Sequence, residues 1–135
     1  MTDDFISWKP EYSVDIEAID RQHMALVNLI RQLQEAMWEW RGRAFQKTVI
    51  DRLVKYVEVH FSFEEDMLRE RGYESLAEHI EEHRILKLQV ADLLARVHEG
   101  QAISNTSLMS LLRHWLTDHI LLHDHKYARA FKGIT

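Results

Sequence analysis

A chain of 135 residues is about one domain long, and with 46% hydrophobic residues it can bury a core of its own. It has no cysteine, which excludes disulfides, thiolate zinc sites, iron–sulfur clusters and a cysteine nucleophile together, so any metal must be held by nitrogen and oxygen. A net charge of −5 with acidic and basic residues interspersed argues against a nucleic-acid partner, and four glycines and one proline leave so few turn and strand signals that the class is predicted to be all-α.

The first residues, MTDDFISWKP, are acidic and carry no apolar run, so they match neither a signal peptide nor a transit peptide. No stretch is long enough to span a bilayer, and the expectation is a cytoplasmic protein without membrane insertion. Residues 1 to 15 read as an extended arm. Apolar positions then recur in steps of three and four through Ile16, Ile19, His23, Leu26, Ile30, Leu33 and Met37, one face of an amphipathic helix with a histidine on its seam. Arg41, Gly42 and Arg43 form a break, after which Ile50, Leu53, Val57, His60, Phe61, Glu64 and Leu68 make a second stripe. Arg71 and Gly72 interrupt again, and a third stripe runs through Leu76, His79, His83, Leu86, Val90, Leu93 and Val97. Gly100 to Asn105 reads as a loop with Ser104 or Asn105 as the helix cap, leading to Leu108, Leu112, Trp115, His119 and Leu122. Short connections between four such helices predict an up-down-up-down antiparallel four-helix bundle with the N-terminal arm outside it, all in a single domain spanning 1–135.

Nine histidines, spread from His23 to His125, are the anomaly of this composition. A lone histidine on an apolar stripe is ordinarily a hydrogen-bonded core residue, and an isolated pair four apart also occurs on solvated faces. Here all four seams carry one, with His60 and Glu64, and His79 and His83, spaced to project from one helix face about a turn apart. Five imidazoles on converging seams would leave many ring nitrogens to satisfy in a dry core, and metal is their natural partner. Imidazole with carboxylate suits iron, zinc, copper or nickel, and so many candidate ligands exceed one tetrahedral zinc and favour two ions. Ferritin-like bundles use a Glu-x-x-His motif, but no glutamate stands three residues before any of these histidines. His98, His114, His123 and His125 lie off the seams or crowd the last turn and are expected in solvent. Glu65, Asp66, Glu81 and Glu82 are read as solvated face.

Trp8, Asp20-Arg21-Gln22-His23, His60-Phe61-Ser62-Phe63-Glu64-Glu65, His79-Ile80-Glu81-Glu82-His83 and Trp115-Leu116-Thr117-Asp118-His119-Ile120 with Asp124 follow one another in this order. The set resembles the hemerythrins, in their single-domain bacterial form, over nearly the whole chain. The resemblance implies that His79, His83 and His119 bind one non-haem iron, that His23 and His60 bind another, and that Glu64 and Asp124 bridge them together with an oxo or hydroxo oxygen. Spacing alone does not yield Asp124. Five residues past His119 at about 100° per residue puts it roughly 140° away, where His123 would fit better, so a π-bulge is expected there. Leu26, Phe61, Trp115 and Ile120 are expected to line the pocket and keep it dry.

Five imidazoles, two bridging carboxylates and one shared oxygen fill all but one position of two octahedral irons. The open position suits molecular oxygen, and few carboxylates relative to imidazoles favour reversible binding over oxidation. Oxygen carriage, storage or delivery by a monomer, serving an oxygen-consuming enzyme, is therefore the leading expectation. A di-iron enzyme acting on peroxide or nitric oxide would need an electron-donor site, for which no motif is visible. An oxygen- or iron-sensing module would need an output domain, and none is read in these 135 residues.

Overall fold

A computed structural model of the chain describes residues 7–38, 43–100 and 105–133. Helices α1 (Glu17–Trp38), α2 (Arg43–Glu70), α3 (Leu76–His98) and α4 (Asn105–Thr117) form a four-helix bundle; a π-helical segment, Asp118–Asp124, joins α4 to a short α5 (His125–Phe131). Among the described residues there is no strand. Helix α1 packs on α2 and on α4, and α2 packs on α3.

The breaks have identifiable chemistry. At the end of α2 the Tyr73 amide donates to Leu68 O (3.0 Å) and the Gly72 amide to Arg69 O (3.1 Å), the paired bonds of a Schellman stop. Gly72 supplies the left-handed backbone that this stop requires, at φ +69°. Arg43, predicted to belong to a break, is instead the first residue of α2, as suits a good helix former once Gly42 is past. Arg41, Gly42 and Ser104 lie outside the described residues, and Asn105 opens α4.

The stripes bury as their spacing predicts, and they do so in two apolar clusters. The larger unites Leu26, Ile30 and Leu33 of α1 with Ile50, Leu53, Val57 and Phe61 of α2, Leu86, Val90 and Leu93 of α3, and Leu112, Trp115 and Leu116 of α4. The smaller comprises Val14, Ile19, Leu68, Tyr127 and Ala128. Leu122, predicted on the fourth seam, is 57% exposed, because the wider π turn shifts the phase of every residue after Thr117. The side chains of Met37, Val97, Leu108 and Ile120 lie outside the described residues.

The arm is not simply extended. Residues 1–6 lie outside the described set, Trp8 and Tyr12 pack against the larger cluster, and Pro10–Tyr12 is a 3-10 turn with proline at its first position. Asp20 accepts bonds from Ser13 Oγ (2.6 Å) and from the Val14 amide (2.9 Å). Asp15, at φ +59°, pairs with Lys132, and His125 Nε2 donates to Ser13 O at 3.1 Å. His125 is therefore half-buried rather than solvated as predicted, because α5 lies against the arm.

Truncating Leu53 to alanine removes a fully buried side chain from the larger cluster, and should cost about 2–5 kcal/mol of unfolding free energy in a denaturant titration. A loss under about 1 kcal/mol would show that the cluster is loosely packed.

Candidate metal centre

Between the two apolar clusters lies a polar layer. His23 of α1, His60 and Glu64 of α2, His79 and His83 of α3, His119 and Asp124 of the π segment are all buried, the most accessible being His79 at 5%. The expected distortion between His119 and Asp124 is the π segment itself. A π turn closes between residues five apart, so both side chains face inward, and His123 turns out to a half-buried pairing with Glu82 at 3.2 Å.

Ligand atoms of these residues fall into two groups within 4.8 Å: His23, His60, Glu64, His119 and Asp124 in one, Glu64, His79, His83 and Asp124 in the other. Both carboxylates belong to both groups. Glu64 Oε1 lies 2.6 Å from His79 Nε2 and 2.9 Å from His83 Nε2, while its Oε2 lies 3.5 Å from His60 Nε2. Asp124 Oδ1 lies 3.2 Å from His79 Nε2, and its Oδ2 lies 2.8 Å from His23 Nε2 and 3.2 Å from His119 Nε2. The resemblance placed His119 with His79 and His83. Its ring centre is nearest His83 among the histidines, at 5.2 Å, but its Nε2 faces the Asp124 oxygen that also meets His23, so its ligand atom falls with His23 and His60 instead.

The donor set fits a cation better than it fits hydrogen bonding. His119 Nε2 lies 3.2 Å from Asp124 Oδ2, yet neither it nor either Asp124 oxygen has a hydrogen-bond partner among the described residues. Lone pairs that converge without donor–acceptor alignment, in a layer shut off from water, are costly unless a cation sits among them. Neutral imidazoles with bridging carboxylates suit two ions of the iron or zinc type.

Protonation follows the same logic. Burial drives His60 down to about 3 and His119 well below its ordinary value, so both are neutral and ready to donate lone pairs. Burial opposes charge on His79 too, but the Asp124 and Glu64 oxygens 3.2 and 2.6 Å from its Nε2 outweigh it and raise His79 to about 9. Asp124 raises His23 against burial in the same way. Burial would lift Glu64, yet His79 and His83 donate to it and hold it well below the usual carboxylate range. Asp124 is raised by burial and then by the Glu64 charge. The carboxylates thus draw protons onto His23 and His79, where a metal cation would replace them.

Three residues of this site escaped the sequence reading. Glu65, read as solvated, accepts from His83 Nδ1 at 2.7 Å, and Gln22 accepts from His60 Nδ1 at 2.6 Å. Tyr127 is fully buried and donates its hydroxyl to Glu64 Oε2 at 3.1 Å. Gln22 and Glu65 each adjoin a seam residue, the signal that could have found them; Tyr127 is legible only once the π segment carries the helix onward. Among the expected pocket residues, Leu26, Phe61 and Trp115 are buried, Phe61 stacks on His83 at 3.8 Å, and Trp115 stacks on His119 at 6.3 Å. His98 and His114 are exposed as expected, and His98 faces Asp51 at 3.2 Å.

Residues 14–131 match the family described as Hemerythrin HHE cation binding domain. The bacteriohemerythrin of Stenotrophomonas maltophilia is 34% identical over 93% of this chain and 81% of its own length. The myohemerythrin of Theromyzon tessulatum is 28% identical over 89% of this chain and 88% of its own. A crystal structure of wild-type hemerythrin superposes with a TM-score of 0.82 at 29% identity, covering 90% of this chain and 94% of that one.

Two of the four perturbed histidines, His60 and His79, predict how the metal-stripped protein responds to pH. His60 sits below the ordinary 6.5, so its contribution to stability is complete above that pH and is lost as the pH falls from 6.5 toward 3. His79 sits above 6.5, so its contribution is complete below 6.5 and is lost as the pH rises through 9. Between them they place a stability maximum near pH 6.5. Imidazole nitrogen NMR of the stripped protein should find His60 neutral down to about 3 and His79 charged up to about 9. Titration of both near 6.5 would contradict the geometry of the layer.

Proposed function

The chain belongs to the hemerythrin family, and from that membership and the geometry of the polar layer we propose that it binds molecular oxygen reversibly at two non-haem irons. The observation that carries the reading is the sharing of Glu64 and Asp124 by both groups of ligand atoms, the placement that bridging carboxylates need. His23, His60, His79, His83 and His119 would supply the nitrogens, through Nε2. Two irons held by these residues, together with an oxo or hydroxo oxygen, would supply the reversible two-electron chemistry that oxygen binding requires.

The chain's own residues do the rest. Gln22 and Glu65 accept from the outer nitrogens of His60 and His83 and so hold both rings in the tautomer that presents Nε2 inward. Tyr127 fixes the Glu64 carboxylate from the opposite side. Leu26, Phe61 and Trp115 close the layer toward the larger cluster, excluding the water that would deliver protons to a bound ligand and make its loss irreversible; Ile120 was expected to share this work. These features favour a binding protein over an enzyme. Carriage, storage or delivery to an oxygen-consuming enzyme is the role we assign, in a cytoplasmic protein; no helix among the described residues is long and apolar enough to cross a membrane.

Metal analysis of protein purified without oxygen should give about two irons per chain, and its optical spectrum should change on adding oxygen and revert when oxygen is removed. Replacing His79 with alanine should damage iron retention, whereas Leu26→Phe should spare the irons and weaken oxygen binding selectively. Full function with one ion or with zinc alone would end the two-iron reading. An irreversible spectral change in the parent protein would end the carrier reading in favour of an oxidase or peroxidase.

A further inference from the structure

Two histidines of the polar layer are anchored in matching geometry by chemically unlike partners. His60 Nδ1 lies 2.6 Å from the amide oxygen of Gln22, and His83 Nδ1 lies 2.7 Å from a carboxylate oxygen of Glu65. In both, Nδ1–H donates outward, so the Nε2 lone pair is left for the site. The two acceptors differ in charge. A carboxylate draws the ring proton toward itself and makes the opposite nitrogen a stronger donor; a neutral amide oxygen does so far less. The Glu65 side chain is only 17% exposed, so water does little to screen its charge. His23 Nδ1 and His119 Nδ1 have no partner among the described residues, so nothing on those rings cancels the difference.

We infer that Gln22 and Glu65 tune the two groups of ligands differently: Glu65, acting through His83, strengthens the group that holds His79, and Gln22, acting through His60, gives the group that holds His23 and His119 no such gain. The inference rests on the two-metal reading above. Both are positioning residues, each acting through a ligand.

The test uses cobalt(II), added to the metal-stripped full chain without oxygen and followed by calorimetry and visible spectra. The parent protein should bind two ions with separate affinities. Glu65→Gln should lower one of the two affinities about 10- to 100-fold and leave the other unchanged. Gln22→Glu should tighten that other affinity by a comparable factor, and the swapped double variant should show both changes. If the two residues served only packing, every variant would bind more weakly. A Gln22→Glu variant that binds two ions without tightening either would therefore overturn the inference and leave the two-metal reading intact. Binding of a single cobalt ion by the parent would overturn the two-metal reading itself. Should Glu65→Gln fail to fold, NMR of the stripped parent protein still decides. The Nδ1–H proton of His83 should be markedly more deshielded than that of His60, and matching shifts would sink the proposal.

Discussion

Glu64 and Asp124 are two carboxylates within reach of the same histidines and closed off from water, and such a pair persists only if positive charge is held with it. Most of the surrounding architecture answers to that constraint. Five imidazoles from three helices and the π segment crowd round the pair, and Tyr127 reaches up from α5 to occupy a lone pair of Glu64. Apolar clusters above and below keep the dielectric low, which strengthens every attraction in the layer and equally raises the cost of an unmatched charge. Because His23 and His79 carry the compensating protons when no metal does, metal uptake must release protons, and affinity must fall as the medium becomes acid.

The helices and most of the inward residues were legible in the sequence because a helix seam is a periodic object. Steps of three and four carry His23, His60, Glu64, His79, His83 and His119 inward along with Leu26 and Phe61, and each of these is buried. Asp124 broke the period and came into view only through family resemblance, since a π turn has no signature in composition or spacing. The same lost phase put Leu122 on the wrong side. Glu65 and Gln22 were missed for a different reason. Their side chains leave the seam sideways, toward a ring on a neighbouring helix, and helical periodicity reports which face a residue occupies but not which partner waits across the groove. His125 was misplaced because its partner, the Ser13 carbonyl, is more than a hundred residues away in the chain.

The layer is also placed where it can be closed without weakening the bundle. Ligands on α1 and α2 lie a turn or less from residues of both clusters, with Ile19 and Leu26 flanking His23, and Phe61 and Leu68 flanking Glu64. Polar chemistry therefore interrupts the core for about one turn of each helix, and apolar packing resumes on either side. Glu64 is fixed by donors on α3 and α5 as well as by its own helix, so a shift of any one of these elements is felt at the carboxylate.

The arm carries a further consequence, for the order in which the molecule is made. Ser13 and Asp15 are held by His125 and Lys132, contacts separated by 112 and 117 residues, and Val14 completes the small cluster around Tyr127. Contacts of such long range are the slowest to close, because loop entropy opposes them until the rest is in place. The first three helices carry five of the seven inward ligands, whereas the contact that ties the arm to the end of α5 must wait until residue 132 has emerged. A chain made only as far as α3 thus lacks two of the seven inward ligands, His119 and Asp124.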